Sequence, residues 1–221
     1  MIEETNEWNL ELGWENESAE AAIAKEPKAK APKRRTTVAL FRSDKHLYRR
    51  AYSETQLMDA VGTDFRDGQT YNCITGGDVD ALSFLKVVLR QQDLEHCLFS
   101  TWCMGAEDIL AFDEWLEAGR IKKLDAYMGE IFPGSYRVEY QMLKETFEKH
   151  DCGRIAVFRN HSKIFAGTGK KFAFGIQTSA NINTNPRTEN GSITIGKDIY
   201  KFYKEYFDDI KGFGELNTKG K

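Results

Sequence analysis

From about residue 70 the chain alternates short apolar runs with longer segments in which apolar residues recur every three or four positions. TYNCITG (70–76) is an apolar run closed by glycine. In the following DVDALSFLKVVLRQQ, Val79, Leu82, Leu85 and Leu89 form the single stripe of a helix that buries one side. HCLFSTWCM (96–104) predicts a second strand. AEDILAFDEWLEAG predicts a second helix, with Ile109, Phe112 and Leu116 on one face and Gly119 as its stop. KLDAYMGEIF (123–132) predicts a third strand, and Pro133-Gly134-Ser135 breaks the chain before a helix carrying Tyr136, Tyr140, Leu143 and Phe147. RIAVFRN (154–160) predicts a fourth strand, and KIFAG with KKFAFGIQTS a hairpin. The last helix, 198–210, has Ile199, Phe202, Tyr203, Tyr206, Phe207 and Ile210 along one side. Upstream, TTVALFRS predicts a strand and HLYRRAYSETQLMDAVG a helix, and Asp78 is the expected N-cap of the helix after residue 78.

Regular strand–helix alternation predicts an α/β domain: a mixed, largely parallel sheet flanked by helices, made mixed by the late hairpin. In such sheets reacting groups gather at strand ends and the loops that follow.

Charge divides the chain further. Residues 1–24 carry seven glutamates and no basic residue, residues 25–35 (KEPKAKAPKRR) carry +5, and the remainder −1, which gives the net −3. This block structure predicts a disordered, acidic then basic tail over 1–35 and a domain over 36–221. Trp8, Leu10, Leu12 and Trp14 alternate within the acidic block and leave open a partner protein for the tail. Cys73, Cys97, Cys103 and Cys152 show neither CxxC nor zinc spacing, and Cys73 and Cys97, inside apolar runs, are expected as buried thiols. The absence of a signal peptide or long apolar span predicts a cytoplasmic protein with no membrane segment.

The residues richest in chemistry lie in Arg159–Asn190, RNHSKIFAGTGKKFAFGIQTSANINTNPRTEN. His161 and Lys163 form His-x-Lys, Ser179 and Asn181 form Ser-x-Asn, and Glu189 follows. Together they supply a nucleophile or proton carrier, a cation, small donors for non-bridging oxygens, and a carboxylate to orient an imidazole. The stretch resembles the HxK…(G/S)SxN signature of the phospholipase D superfamily. That resemblance implies a mixed sheet flanked by helices, attack on phosphorus by His161, phosphoryl oxygens held by Lys163 and Asn181 with Ser179 assisting, and a hydrogen bond from the imidazole to Glu189. The full family motif is HxKxxxxD, and here its aspartate position is Thr168.

Single-motif members of that family complete the site by dimerising, so the resemblance implies a homodimer with no metal and no cofactor. Arg159, Lys163, Lys170, Lys171 and Arg187 place cations around the motif, with Lys170, Lys171 and Arg187 as expected substrate contacts. A nucleic acid is therefore the expected substrate, and a metal-independent nuclease the expected activity. A catalytically silent module that binds nucleic acid or a partner protein is the alternative. GTGKK (167–171) lacks the glycine and hydroxyl of a phosphate loop and is expected to be a hairpin turn. His46, His96 and His150 are expected at the surface or as caps, and Glu107, Asp108, Asp113, Glu114 and Glu117 as a solvated helix face.

Overall fold

A computed structural model describes residues 46–51, 53–62, 64–76, 79–182 and 187–213. In chain order the elements are β1 (His46–Ala51), α1 (Glu54–Val61), β2 (Thr70–Thr75), α2 (Ala81–Leu89), β3 (Leu94–Thr101), α3 (Ala106–Glu117) and β4 (Leu124–Gly129). They continue with α4 (Phe132–Ser135), α5 (Arg137–His150), β5 (Ile155–Phe158), β6 (Ile164–Gly169), β7 (Ala173–Thr178), β8 (Glu189–Ile195) and α6 (Lys197–Asp208). The predicted tail, the boundary at residue 36 and the predicted strand at 36–43 lie outside the described residues.

The strands form one sheet in the order β1-β2-β8-β7-β6-β3-β4-β5. Its parallel pairs are β1–β2, β3–β4 and β4–β5, and its antiparallel pairs are β2–β8, β8–β7, β7–β6 and β6–β3. Six strands therefore run one way, and only β6 and β8 reverse. The carboxyl ends of β1–β5 and β7 share one end of the sheet with the starts of β6 and β8.

The two faces are covered unequally. Leu57 of α1, Phe84 of α2, Phe112 of α3 and Leu143 of α5 join Phe99, Phe165, Phe174 and Ile193 of the sheet in the main core. The other face carries a smaller core in which Tyr203 and Phe207 of α6 meet Leu98, Tyr127, Ala156 and Ala166. A Cβ at Gly175 would lie 2.6 Å from Ile199 Cγ1, so the glycine lets α6 sit directly on β7. β3 is buried along nearly its whole length, although its sequence LEHCLFST sets Glu95, His96, Ser100 and Thr101 beside its apolar residues.

Four details differ from the sequence expectation. The predicted helix from His46 is a strand and then a helix: His46–Ala51 pairs in parallel with β2, and Ser53 caps α1 by accepting from Gln56 N–H at 3.2 Å. The helix after residue 78 is capped by Asp80, which accepts from Ser83 N–H at 2.9 Å while Ser83 Oγ accepts from Asp80 N–H at 3.4 Å. β4 ends at Gly129, and Phe132 already belongs to α4. β8 has no predicted counterpart. Gly191, Ile193 and Ile195 are buried and alternate with less buried Ser192 and Thr194, an alternation too polar to read as a strand from composition.

Candidate functional site

Most of the predicted site residues converge at the carboxyl end of the sheet. His161 and Lys163 lie in the loop entering β6, and Thr178 N–H donates to Lys163 C=O at 3.1 Å. Ser179 and Asn181 leave β7 at the same end, and Glu189 opens β8, opposite Thr75 of β2. The antiparallel turn-backs of β6 and β8 thus bring residues 161, 181 and 189 to one edge.

His161 is exposed, and its ring lies 5.3 Å from the Trp102 ring, tilted by 47°. Lys163 is buried, with 8% of its surface exposed. Its ammonium donates to His161 Nδ1 and to His161 C=O, both at 2.8 Å. An ammonium has no lone pair, so Nδ1 must be the acceptor, and the neutral ring then carries its proton on Nε2. Burial lowers the Lys163 pKa, and the nearby Cys103 and Glu189 work against that shift.

Ser179 Oγ donates to Glu189 Oε2 and accepts from Asn190 N–H at 3.0 Å. The expected hydrogen bond between Glu189 and His161 is thus replaced: the carboxylate holds Ser179, and Lys163 occupies Nδ1. Asn181 Oδ1 is buried without a hydrogen-bond partner. The Asn181 carbonyl accepts from Ala81 N–H at 3.2 Å, and Ile182 C=O accepts from Gly105 N–H at 3.1 Å. The Ser-x-Asn segment is therefore strapped across the beginnings of α2 and α3.

Lys170 and Lys171 are not part of this cluster. They sit in the β6–β7 turn, at the far end of a strand that spans roughly 17 Å. There Lys171 N–H donates to Gln92 Oε1 at 2.9 Å, and the side chain reaches Gln91 C=O. The physical reason is the hairpin itself: a strand between His161 and the lysines puts them at opposite ends of the sheet. Thr168 lies toward that same far end, opposite His96. Arg187 is exposed two residues before β8, on the near side.

Of the other histidines, His96 and His150 each pair with a carboxylate. His96 is buried, with Nε2 2.8 Å from Asp125 Oδ2 and Nδ1 2.8 Å from the Tyr200 hydroxyl. Burial alone would raise the Asp125 pKa, but hydrogen bonds from His96 and Arg154 N–H outweigh it and hold the carboxyl below its ordinary value. His150 pairs with Asp113 at 2.7 Å. Asp108 is not simply solvated: it accepts from Gly105 N–H at 3.2 Å. Burial, then the neighbouring Asp80, raises its pKa to about 6.

Residues given no part in the site from the sequence frame it. Trp102 stands beside His161. Cys103, whose thiol pKa is raised by burial, hydrogen-bonds Tyr136 and lies near Lys163. Asn160 lies beneath the His161 loop, and Ser100 and Thr101 end β3. The available signal was the pair Ser-Thr directly after the apolar run Cys97-Leu98-Phe99, since a buried segment has little reason to carry two hydroxyls in succession. Among the described residues no group of three or more His, Cys, Asp or Glu is placed to hold a metal ion, and no helix is long and apolar enough to cross a membrane.

No protein-family model matches the chain, and no curated protein matches it. Among solved structures, the polyphosphate kinase from Porphyromonas gingivalis is similar over 65% of this chain and 26% of that one, at 11% identity and a TM-score of 0.47. The chain thus spans about a quarter of that kinase chain's length.

Proposed function

We propose that the chain is a metal-independent phosphodiesterase of the phospholipase D type, a nuclease that works through a phosphohistidine at His161. One observation carries the proposal: an exposed imidazole and a buried ammonium 2.8 Å apart at the carboxyl end of the sheet, beside Ser179, Asn181 and Glu189. Lys163 is held where its charge is poorly solvated, so an arriving phosphodiester is a better partner for it than the imidazole.

Once Lys163 turns to a non-bridging oxygen, Nδ1 is released to hold the ring proton and Nε2 presents its lone pair. Nε2 attacks phosphorus, the N–P bond forms and the P–O ester bond breaks. The departing oxygen takes a proton from a second imidazole. Water then attacks the phosphohistidine, gives its proton to that second imidazole, and releases a phosphomonoester and free His161. The second imidazole comes from another copy of this chain across a twofold axis. Lys163 and the Asn181 amide stabilise the oxygens of the five-coordinate phosphorus, with Ser179 assisting. Arg159 and Arg187 add positive charge at this end, which favours a nucleic-acid backbone as substrate.

One observation favours the second reading, a silent module of the same fold that binds nucleic acid or a partner protein. Glu189 gives its carboxylate to Ser179 rather than to His161. Labelled DNA and RNA incubated with wild type and His161→Ala in EDTA separate the two. Cleavage by wild type alone supports the nuclease. Binding by both without cleavage by either supports the silent module.

A further inference from the structure

We infer that Asn160 is the positioning residue that fixes the His161–Lys163 loop to the sheet, an inference that rests on assigning those two residues to the site. Asn160 is 6% exposed and uses both ends of its amide. Nδ2 donates to Ser100 Oγ at 2.8 Å and to Tyr127 C=O at 2.9 Å, with Thr101 C=O at 3.4 Å. Oδ1 accepts from Ser162 N–H at 3.0 Å and from Ser162 Oγ at 2.7 Å. The donor end thus grips the ends of β3 and β4, and the acceptor end grips the residue between His161 and Lys163.

No other side chain of this size supplies two donors and an acceptor with two lone pairs on one rigid plane. Aspartate would face the Tyr127 carbonyl with a carboxylate, and alanine would leave buried partners unpaired. Two neighbours reinforce the brace. Ser100 Oγ lies 2.6 Å from Ser162 Oγ. Glu130 Oε2 accepts from Asn160 N–H at 3.2 Å. Gly129 lets the loop approach, because a Cβ there would stand 2.7 Å from Trp102 Cδ1 and 3.0 Å from Asn160 C=O.

The alternation of β3 divides the work between the two halves of the site. Thr101, on the opposite face from Ser100, donates to Cys103 C=O at 2.8 Å and accepts from Ile182 N–H at 3.5 Å, beside Asn181. Asn160 therefore braces the nucleophile's half chiefly through Ser100 and Tyr127, while the Thr101 side chain holds the strap that carries Asn181. A displaced nucleophile reacts more slowly even when the substrate still binds.

The test uses full-length Asn160→Ala and Ser162→Ala with nuclear magnetic resonance of the histidine and indole rings. His96, buried far from the loop, reports whether the fold is intact. In wild type the His161 and Trp102 rings give a mutual Overhauser effect. In Asn160→Ala that effect is expected to disappear while His96 signals stay in place, and kcat on an oligonucleotide should fall at least tenfold with KM changed less than threefold. If Asn160→Ala does not fold, Ser162→Ala decides: its Overhauser effect should drop by half or more. An unchanged effect in either folded variant overturns the inference. Because the ring contact is read without turnover, wild type that cleaves nothing would remove the proposed activity and leave this test standing.

Discussion

The two ends of the sheet each carry a histidine paired with another ionisable side chain, and the two pairs differ in what they leave open. At the far end His96 has both ring nitrogens committed, to Asp125 and Tyr200, and lies buried beneath α6. A ring with both nitrogens occupied and no access to solvent cannot meet a substrate, however much its carboxylate partner resembles a catalytic one. At the near end His161 is exposed, with Nδ1 paired to Lys163. The contrast teaches that a His–Asp contact by itself identifies a tie between α6 and the sheet, and that exposure at the carboxyl ends of the strands identifies the candidate nucleophile.

The largest effects should separate the two histidines outright. His161→Ala should lower cleavage of a labelled oligonucleotide by about 10³-fold or more, the size expected when the attacking group is lost, with the melting temperature within a degree or two of wild type. His96→Ala should do the reverse. Leaving buried Asp125 without its partner should cost about 3–5 kcal/mol of stability, read by urea denaturation, while the chemistry of the folded fraction is retained. A stable His96→Ala protein that had lost all turnover would invert the assignment.

Glu189→Gln should have a smaller effect. Since Glu189 holds Ser179 rather than the imidazole, cleavage should fall by about tenfold rather than by the 10²–10⁴-fold of a positioned proton-transfer partner. A loss beyond 10³-fold would mean that Glu189 turns to His161 once substrate is bound.

How much of this was legible differs between the same two ends. The fold class and most elements followed from periodicity: α3 and α5 each bury one stripe, whereas α2 is buried almost all round and α6 buries Tyr203 and Phe207 but leaves Phe202 and Tyr206 exposed. His161, Lys163, Ser179, Asn181 and Glu189, grouped by their order along the chain, also lie at one end of the sheet. The same grouping put Lys170 and Lys171 beside them, but these lie at the opposite end, since proximity in sequence ignores the length of a strand. The sequence reading also missed β8, whose Asn190-Gly191 pair and hydroxyl positions look like loop, and the partners of His96, which come from β4 and α6, 29 and 104 residues away. Long-range pairings of this kind leave no local pattern to read.

The smallest effect lies in pH dependence and again sets the ends apart. Asp108, at the near end, has its pKa raised from 3.8 to about 6, so the folded state binds a proton the unfolded state has released. Its contribution to stability is fully present below pH 3.8 and is lost as pH rises through about 6. Asp125, at the far end, is shifted the opposite way. Its contribution is present above the ordinary carboxyl range and is lost as pH falls through its lowered value. Melting curves of Asp108→Asn should therefore lack part of the wild-type decline between pH 4 and 6, and curves that superimpose on wild type would refute the assignment.

The most direct test of the central claim is to trap the intermediate. Wild type would be mixed with an oligonucleotide carrying radiolabelled phosphate in EDTA, quenched in alkali within milliseconds to seconds, and digested for mass spectrometry. The account predicts an acid-labile, base-stable phosphoryl adduct on His161, absent from His161→Ala. Steady cleavage with no adduct on His161, or an adduct carried by another residue, would contradict it.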